Sequence, residues 1–276
     1  MEIGPGVNYV KPGDHVVMHW RKGAGIDANP PKYGRGKGFV GAGQVATFAT
    51  HSVVSENRLT PISDDFDLST AALMGCAVTT GLGLINNEAK LKIGQSIAVI
   101  GCGGVGLNVI QGAALVGGNP IIAVDVKQGK LGMALECGAN YVLGISNLTI
   151  EEDISSITNG VGIDVVVETT GIPYMIEFAY KLTKPGGKMI MVGQPPYGVE
   201  VKFKDFSRHF TGKTLMDSQG GLTEPHIDIP RYLELYRQGK LKLDNLITHT
   251  FPFSEINLAI KYAKVGDAGK VMVEME

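Results

Sequence analysis

The stretch from Ser96 to Asp125 constrains the fold of this chain more than any other. It reads Ser-Ile-Ala-Val-Ile-Gly-Cys-Gly-Gly-Val-Gly, then a helical run, then Ile-Ile-Ala-Val-Asp. Ile97 to Ile100 is a short apolar run, as expected of a strand buried on both faces of a parallel sheet. Gly101, Gly103 and Gly106 follow at G-x-G-x-x-G spacing, and Leu107 to Val116 carries apolar residues at helical spacing. Ile121 to Val124 predicts a second buried strand, ending on the acid Asp125. In a strand–turn–helix–strand unit each glycine has a job: one permits the tight turn, one lets backbone N–H groups approach a pyrophosphate, and one lets the helix pack on the strand. The pyrophosphate then meets a helix N-terminus, where unpaired N–H groups and the helix dipole favour negative charge. Asp125 is placed to accept hydrogen bonds from a ribose 2′-OH and would repel a 2′-phosphate, which favours NAD over NADP, with Lys127 and Lys130 nearby as a counterweight.

The rest of the chain extends this rhythm. Helices are expected at Gly129–Cys137, Glu151–Thr158 and Tyr174–Leu182, with strands at Tyr141–Leu143, from Gly162 and at Lys188–Gly193. Such alternation argues a doubly wound parallel sheet. Before it, residues 1 to about 70 read as β structure and loops: strands at Val7–Val10 and His15–Trp20 around Lys-Pro-Gly-Asp, a long surface loop from Arg21 to Gly43, and a half-buried strand at Gln44–Ser55. Ser69 is a candidate N-cap, and the apolar, small-residue run from Ala71 to Ile85 reads as helical. From about Gly220 the texture changes to helix (Ile229–Gln238), strand (Leu246–Phe251), helix (Phe253–Lys264) and strand (Val271–Val273).

Composition removes several classes. A net charge of -2 leaves no basic footprint for nucleic acid or an acidic membrane. No apolar run is long enough to span a bilayer, and Met-Glu-Ile-Gly-Pro-Gly lacks the regions of a signal peptide, so a cytoplasmic protein is expected. Three widely spaced cysteines, Cys76, Cys102 and Cys137, do not suggest a disulfide framework, and Cys102 and Cys137 read as structural. His15, His19, His51, His209, His226 and His249 show no metal-ligand spacing among themselves.

Taken together the blocks resemble the zinc-type medium-chain alcohol dehydrogenases. The resemblance rests on Val-Lys-Pro-Gly-Asp-His-Val at 10–16, Gly-Cys-Ala-Val-Thr-Thr-Gly-Leu-Gly at 75–83 and the glycine motif at 101–106. Val-Asp at 124–125, Val-Gly-Gln-Pro-Pro at 192–196 and Ile-Thr-His-Thr-Phe-Pro-Phe at 247–253 complete it. It implies a Rossmann domain over 77–219, flanked by a partial, mainly β GroES-like catalytic domain at 1–76 and a return to that domain at 220–276. It implies hydride transfer between NAD and an alcohol or hydroxymethyl-thiol adduct, with a bound zinc lowering the pKa of the alcohol. By the same likeness Cys76 falls at a zinc-ligand position, Thr80 and Val105 lie against the nicotinamide, and Val192, Gly193 and Gln194 meet its carboxamide. Asp125 and Lys130 would hold the adenosine ribose, Gly101, Gly103, Gly104 and Gly106 the pyrophosphate, and Lys270 would reach it as well. A plain packing role for Thr80 and Val105, a buried hydrophobe at Cys76 and a solvated charge at Lys270 stand as the alternatives.

Two departures matter. No cysteine lies between His15 and Gln44, where the family's four-cysteine lobe belongs, so no structural zinc is expected. The family's first cysteine ligand, its proton-relay residue and its Gly-His-Glu motif are not found before Glu2, which leaves the catalytic zinc's ligand set incomplete. The expectation is a family member lacking its N-terminal segment, able to bind NAD without turning over. Rival readings are a zinc-free quinone or enone reductase using NADPH, and a non-catalytic dinucleotide-binding or redox-sensing remnant. A homodimer or homotetramer is expected, with Val201 to Gln219 as the candidate edge.

Overall fold

The computed structural model describes residues 2–145, 149–203, 206–209, 211–267 and 269–275, of which 208 and 209 are described by their backbone alone. Contacts divide the chain into two units: residues 1–79, 223–264 and 271–276 form one, and residues 80–222 with 265–270 form the other.

The first unit holds two short antiparallel pairs from the N-terminal part. Strand β1 (His15–Met18) pairs with β4 (Leu59–Ile62), and β2 (Lys32–Arg35) with β3 (Gly38–Gly41). Helix α1 (Leu68–Ala72) leads through a 3-10 turn at Leu73–Gly75 to α2 (Ala77–Gly83), which runs on into a π-helical segment at Leu84–Ala89 within the second unit.

The second unit carries the alternation expected from sequence. Strand β5 (Ile97–Ile100), α3 (Gly104–Leu115), β6 (Ile121–Asp125), α4 (Gln128–Glu136) and β7 (Tyr141–Gly144) make its first half. Its second half is α5 (Ile150–Ile157), β8 (Ile163–Glu168), α6 (Pro173–Leu182), β9 (Thr183–Met191) and β10 (Thr214–Asp217). The six strands are parallel in the order β10-β9-β8-β5-β6-β7. This is the doubly wound order, whose topological switch point lies between β5 and β8, where such sheets bind ligands at their carboxyl ends. The core is continuous: Ile100, Ile122, Val124, Val166, Ile176 and Met189 are all at most 2% exposed. The chain then returns to the first unit with α7 (Pro225–Arg237), β11 (Ile247–Pro252) and α8 (Ile256–Val265), and β12 (Lys270–Glu274) pairs with β11.

Before Ser96 the structure departs from several expectations. Val7–Val10 is not a strand: the Asn8 and Tyr9 amides donate to the buried Glu56 carboxylate, not to a neighbouring strand. The expected loop at Arg21–Gly43 contains the β2–β3 hairpin, and the expected strand at Gln44–Ser55 is irregular, because β1 pairs with Leu59–Ile62. Asp67, not Ser69, caps α1 by accepting the Thr70 amide at 2.8 Å. The run from Ala71 to Ile85 is not one helix, since Cys76 (φ -150°, ψ -69°) interrupts it. Residues 204, 205 and 210 of the candidate edge lie outside the described residues; within that stretch β10 is the outermost strand of the sheet. Among the described residues no single helix is long and apolar enough to cross a membrane.

Candidate functional site

The glycine turn sits at the carboxyl end of β5. Gly101 has a φ of +93°, and a Cβ there would lie 2.4 Å from Thr169 Oγ1, so both its conformation and its surroundings call for glycine. A Cβ on Gly106 would lie 1.9 Å from the Gly101 carbonyl oxygen, which fixes the third glycine by helix–strand packing. Gly103 is the N-cap of α3 in extended conformation, and neither a side-chain cap nor an acidic residue in the first turn satisfies the helix's leading N–H groups. Space above Gly103 is open: a Cβ added there would meet no atom within 4 Å. A helix terminus left uncapped beneath open space is an anion site in waiting.

Lys270 supports that reading. Its side chain lies across Gly104, where an added Cβ would sit 2.2 Å from Cε and 3.1 Å from the ammonium nitrogen. A cation beside a helix N-terminus is placed to take the same anion as the helix's leading N–H groups. Asp125 ends β6 with 9% exposure, accepting from the Cys102 amide at 2.7 Å and the Lys127 amide at 2.9 Å. A carboxylate has about four lone-pair sites, so two ribose hydroxyls can still be accepted. The Lys127 ammonium lies 2.8 Å from Asp267, so one of the two lysines near Asp125 in sequence already has an acidic partner. Burial, with the Asp125 charge beside it, pushes the Cys102 thiol up to about 12, consistent with the packing role expected of it.

Beside this turn runs a second rim. Thr169 Oγ1 donates to the carbonyls of Ile100 and Gly101 at 3.0 and 2.9 Å. Gly193 closes on Gly171, with an added Cβ only 2.0 Å from the Gly171 nitrogen, so the end of β9 packs directly on the loop after β8. The Val192 and Gly193 amides both donate to the Glu168 carbonyl. Val105, Val192 and Gly193 are half-buried and Gln194 is exposed. The structure therefore brings Gly101–Gly106, Asp125 and Lys270 together at the loop, with Val192–Gln194 joined to it through Thr169–Gly171. Thr80, 5% exposed on α2, precedes Gly81, whose added Cβ would meet Asn108 Cβ at 2.6 Å. Lys130 is half-buried on α4, one turn beyond Lys127.

Two organising residues escaped the sequence reading. Glu168, fully buried, accepts from the amides of Thr170 and Gly171 and from the Thr170 hydroxyl, bracing the loop after β8. Asn108, also fully buried, donates to the Gly104 carbonyl at 2.7 Å and braces the first turn of α3. An acid two residues before a polar-glycine pair at a strand end was a usable signal for the first. Nothing in sequence marked the second.

Cys76 belongs to the other unit. It is an exposed free thiol, preceded by Gly75, whose added Cβ would lie 2.3 Å from the Met18 carbonyl oxygen. Among the described residues no group of three or more His, Cys, Asp or Glu side chains could hold a metal ion. The donor set around Cys76 therefore does not fit a catalytic zinc, which takes three protein ligands.

Residues 104–238 match the family model described as zinc-binding dehydrogenase. The chain is 30% identical to alcohol dehydrogenase 1 of Pisum sativum over 99% of its own length and 79% of that protein's. The chain belongs to the zinc-type alcohol dehydrogenase family. It is also 28% identical to the S-(hydroxymethyl)glutathione dehydrogenase of Paracoccus denitrificans, over 99% of this chain and 81% of that one. The crystal structure of benzyl alcohol dehydrogenase from Acinetobacter calcoaceticus superposes with a TM-score of 0.85 at 26% identity, covering all of this chain and 81% of that one.

Proposed function

We propose that this member of the alcohol dehydrogenase family binds NAD at the β5–α3 turn and belongs to a reaction class that interconverts alcohols, or hydroxymethyl-thiol adducts, with carbonyl compounds. The observation that carries the reading is the uncapped, glycine-lined N-terminus of α3 with Asp125 at its side and Lys270 across it. Bound there, the dinucleotide supplies the hydride acceptor. The chain's own residues bind and orient it: α3 amides and Lys270 take the pyrophosphate, Asp125 and Lys130 the adenosine ribose, and Val192–Gln194 the carboxamide. Thr80 and Val105 bound the nicotinamide. Relatives named for S-(hydroxymethyl)glutathione and benzyl alcohol support a small-molecule alcohol as the substrate class.

Cys76 is proposed as a ligand position by family likeness alone, and because its donor set is incomplete no step is routed through a metal. Assembly through the β10 edge as a homodimer or homotetramer is proposed on the same footing. The test is NADH formation from primary and secondary alcohols, with metal content measured on the same purified chain. Alcohol-dependent NADH formation supports the enzymatic reading. NADH binding without oxidation of any alcohol would favour the dinucleotide-binding remnant instead.

A further inference from the structure

The loop after β8 is built around a carboxylate kept wholly out of water. Glu168 is fully buried, and among the described residues no lysine, arginine or histidine forms an ion pair with it. Burying a carboxylate without a cation is costly unless hydrogen bonds replace its water. Three donors of the next three residues do so. Oε1 accepts from the Thr170 amide at 2.6 Å and from the Thr170 hydroxyl, and the Gly171 amide divides between the two oxygens at 3.2 and 3.1 Å. Only one loop conformation brings all three donors to the carboxylate, so the buried charge selects that conformation. The loop in turn seats the end of β9. The Glu168 backbone carbonyl accepts from the Val192 and Gly193 amides at 2.7 and 3.1 Å. Gly171, at a φ of +69°, lies so close to the next residue of that rim that an added Cβ would sit 2.5 Å from the Gln194 carbonyl oxygen. Glu168 therefore fixes Val192–Gln194 twice, directly through its carbonyl and by way of Gly171 through its carboxylate.

We propose that Glu168 is a positioning residue for the nicotinamide end of the dinucleotide: buried out of the cofactor's reach, it sets where Val192–Gln194 meets the carboxamide. The proposal rests on the NAD reading of this site. The pyrophosphate end is held separately, because the Thr169 hydroxyl ties the loop to the Ile100 and Gly101 carbonyls without using the carboxylate. Loss of the carboxylate should therefore be felt at one end of the cofactor and not at the other.

The test titrates NADH and ADP-ribose, which lacks the nicotinamide, separately into the full chain by calorimetry. The wild-type chain should bind NADH the more tightly. In Glu168→Gln an NH2 group replaces one acceptor oxygen and confronts the Gly171 N–H, donor against donor. That variant should bind NADH about tenfold more weakly and ADP-ribose within about twofold of the wild type. Thr170→Val, at an exposed position, removes one donor from the same carboxylate and should weaken NADH alone by about threefold, which keeps the test open should Glu168→Gln fold poorly. Equal weakening of both ligands would reduce Glu168 to a structural residue and overturn the proposal, as would NADH affinity unchanged in the folded variants. A wild-type chain that binds ADP-ribose as tightly as NADH would overturn the carboxamide assignment and the proposal with it. A wild-type chain that binds neither would overturn the NAD reading itself.

Discussion

Gly106 and Asp125 show how single residues set this site. An alanine at 106 would drive its methyl group to 1.9 Å from the Gly101 oxygen, closer than any contact a backbone can absorb, so Gly106→Ala should abolish NADH binding measured by fluorescence titration. Cysteine chemistry separates by burial in the same way. Cys102 and Cys137 are buried and Cys76 is exposed, so a thiol reagent at pH 8 should modify Cys76 rapidly in the native chain and the other two only after denaturation. Glu56 is the residue that ties loop segments together in the first unit. Its carboxylate accepts from the amides of Asn8, Tyr9 and Ile26, and these hydrogen bonds hold it below its ordinary pKa of 4.5. A depressed carboxylate pKa stabilises the fold fully above that ordinary value and loses the contribution as pH falls through the lowered one. Urea midpoints should therefore drop below about pH 4.5 in the wild type, and Glu56→Gln should be less stable at neutral pH with a flatter acid limb. An unchanged acid limb in that variant would assign the pH dependence elsewhere.

At the scale of elements, the apolar runs at β5, β6 and β8 were legible because a parallel strand buried on both faces leaves little room for polar residues. The glycine spacing after β5 was legible for the same kind of reason: only glycine meets the steric demands at 101 and 106. The β2–β3 hairpin was not, since Lys32–Arg35 and Gly38–Gly41 are almost wholly exposed and carry no alternation. Nor was the π-helical segment, which depends on a partner distant in sequence. Lys188, on β9, donates its ammonium to the Glu88 and Ala89 carbonyls at 2.7 and 3.0 Å, closing that helical end. Burial, with Lys90 nearby, lowers the pKa of this ammonium. Lys188→Met removes two charge-assisted hydrogen bonds to helix-end carbonyls and should cost about 1–3 kcal/mol by urea denaturation. A loss within error of zero would show that solvent caps those carbonyls equally well.

At the scale of the whole molecule, residues separated by up to 166 positions converge. Gly104 and Lys270 meet because residues 265–270 pack with the second unit, which lays the lysine side chain across the first turn of α3. Sequence spacing alone could suggest that pairing only through family likeness, whereas Glu168 and Asn108 became visible only once the loops they brace were in place. In the proposed reading Asp125 is the residue on which cofactor choice turns, with Lys127 engaged by Asp267. The most direct measurement is parallel titration of the purified chain with NADH and NADPH, followed by nucleotide fluorescence. NADH should bind saturably, and NADPH should bind at least about tenfold more weakly because its 2′-phosphate meets the Asp125 carboxylate. Equal or tighter binding of NADPH, or no binding of either, would contradict the account.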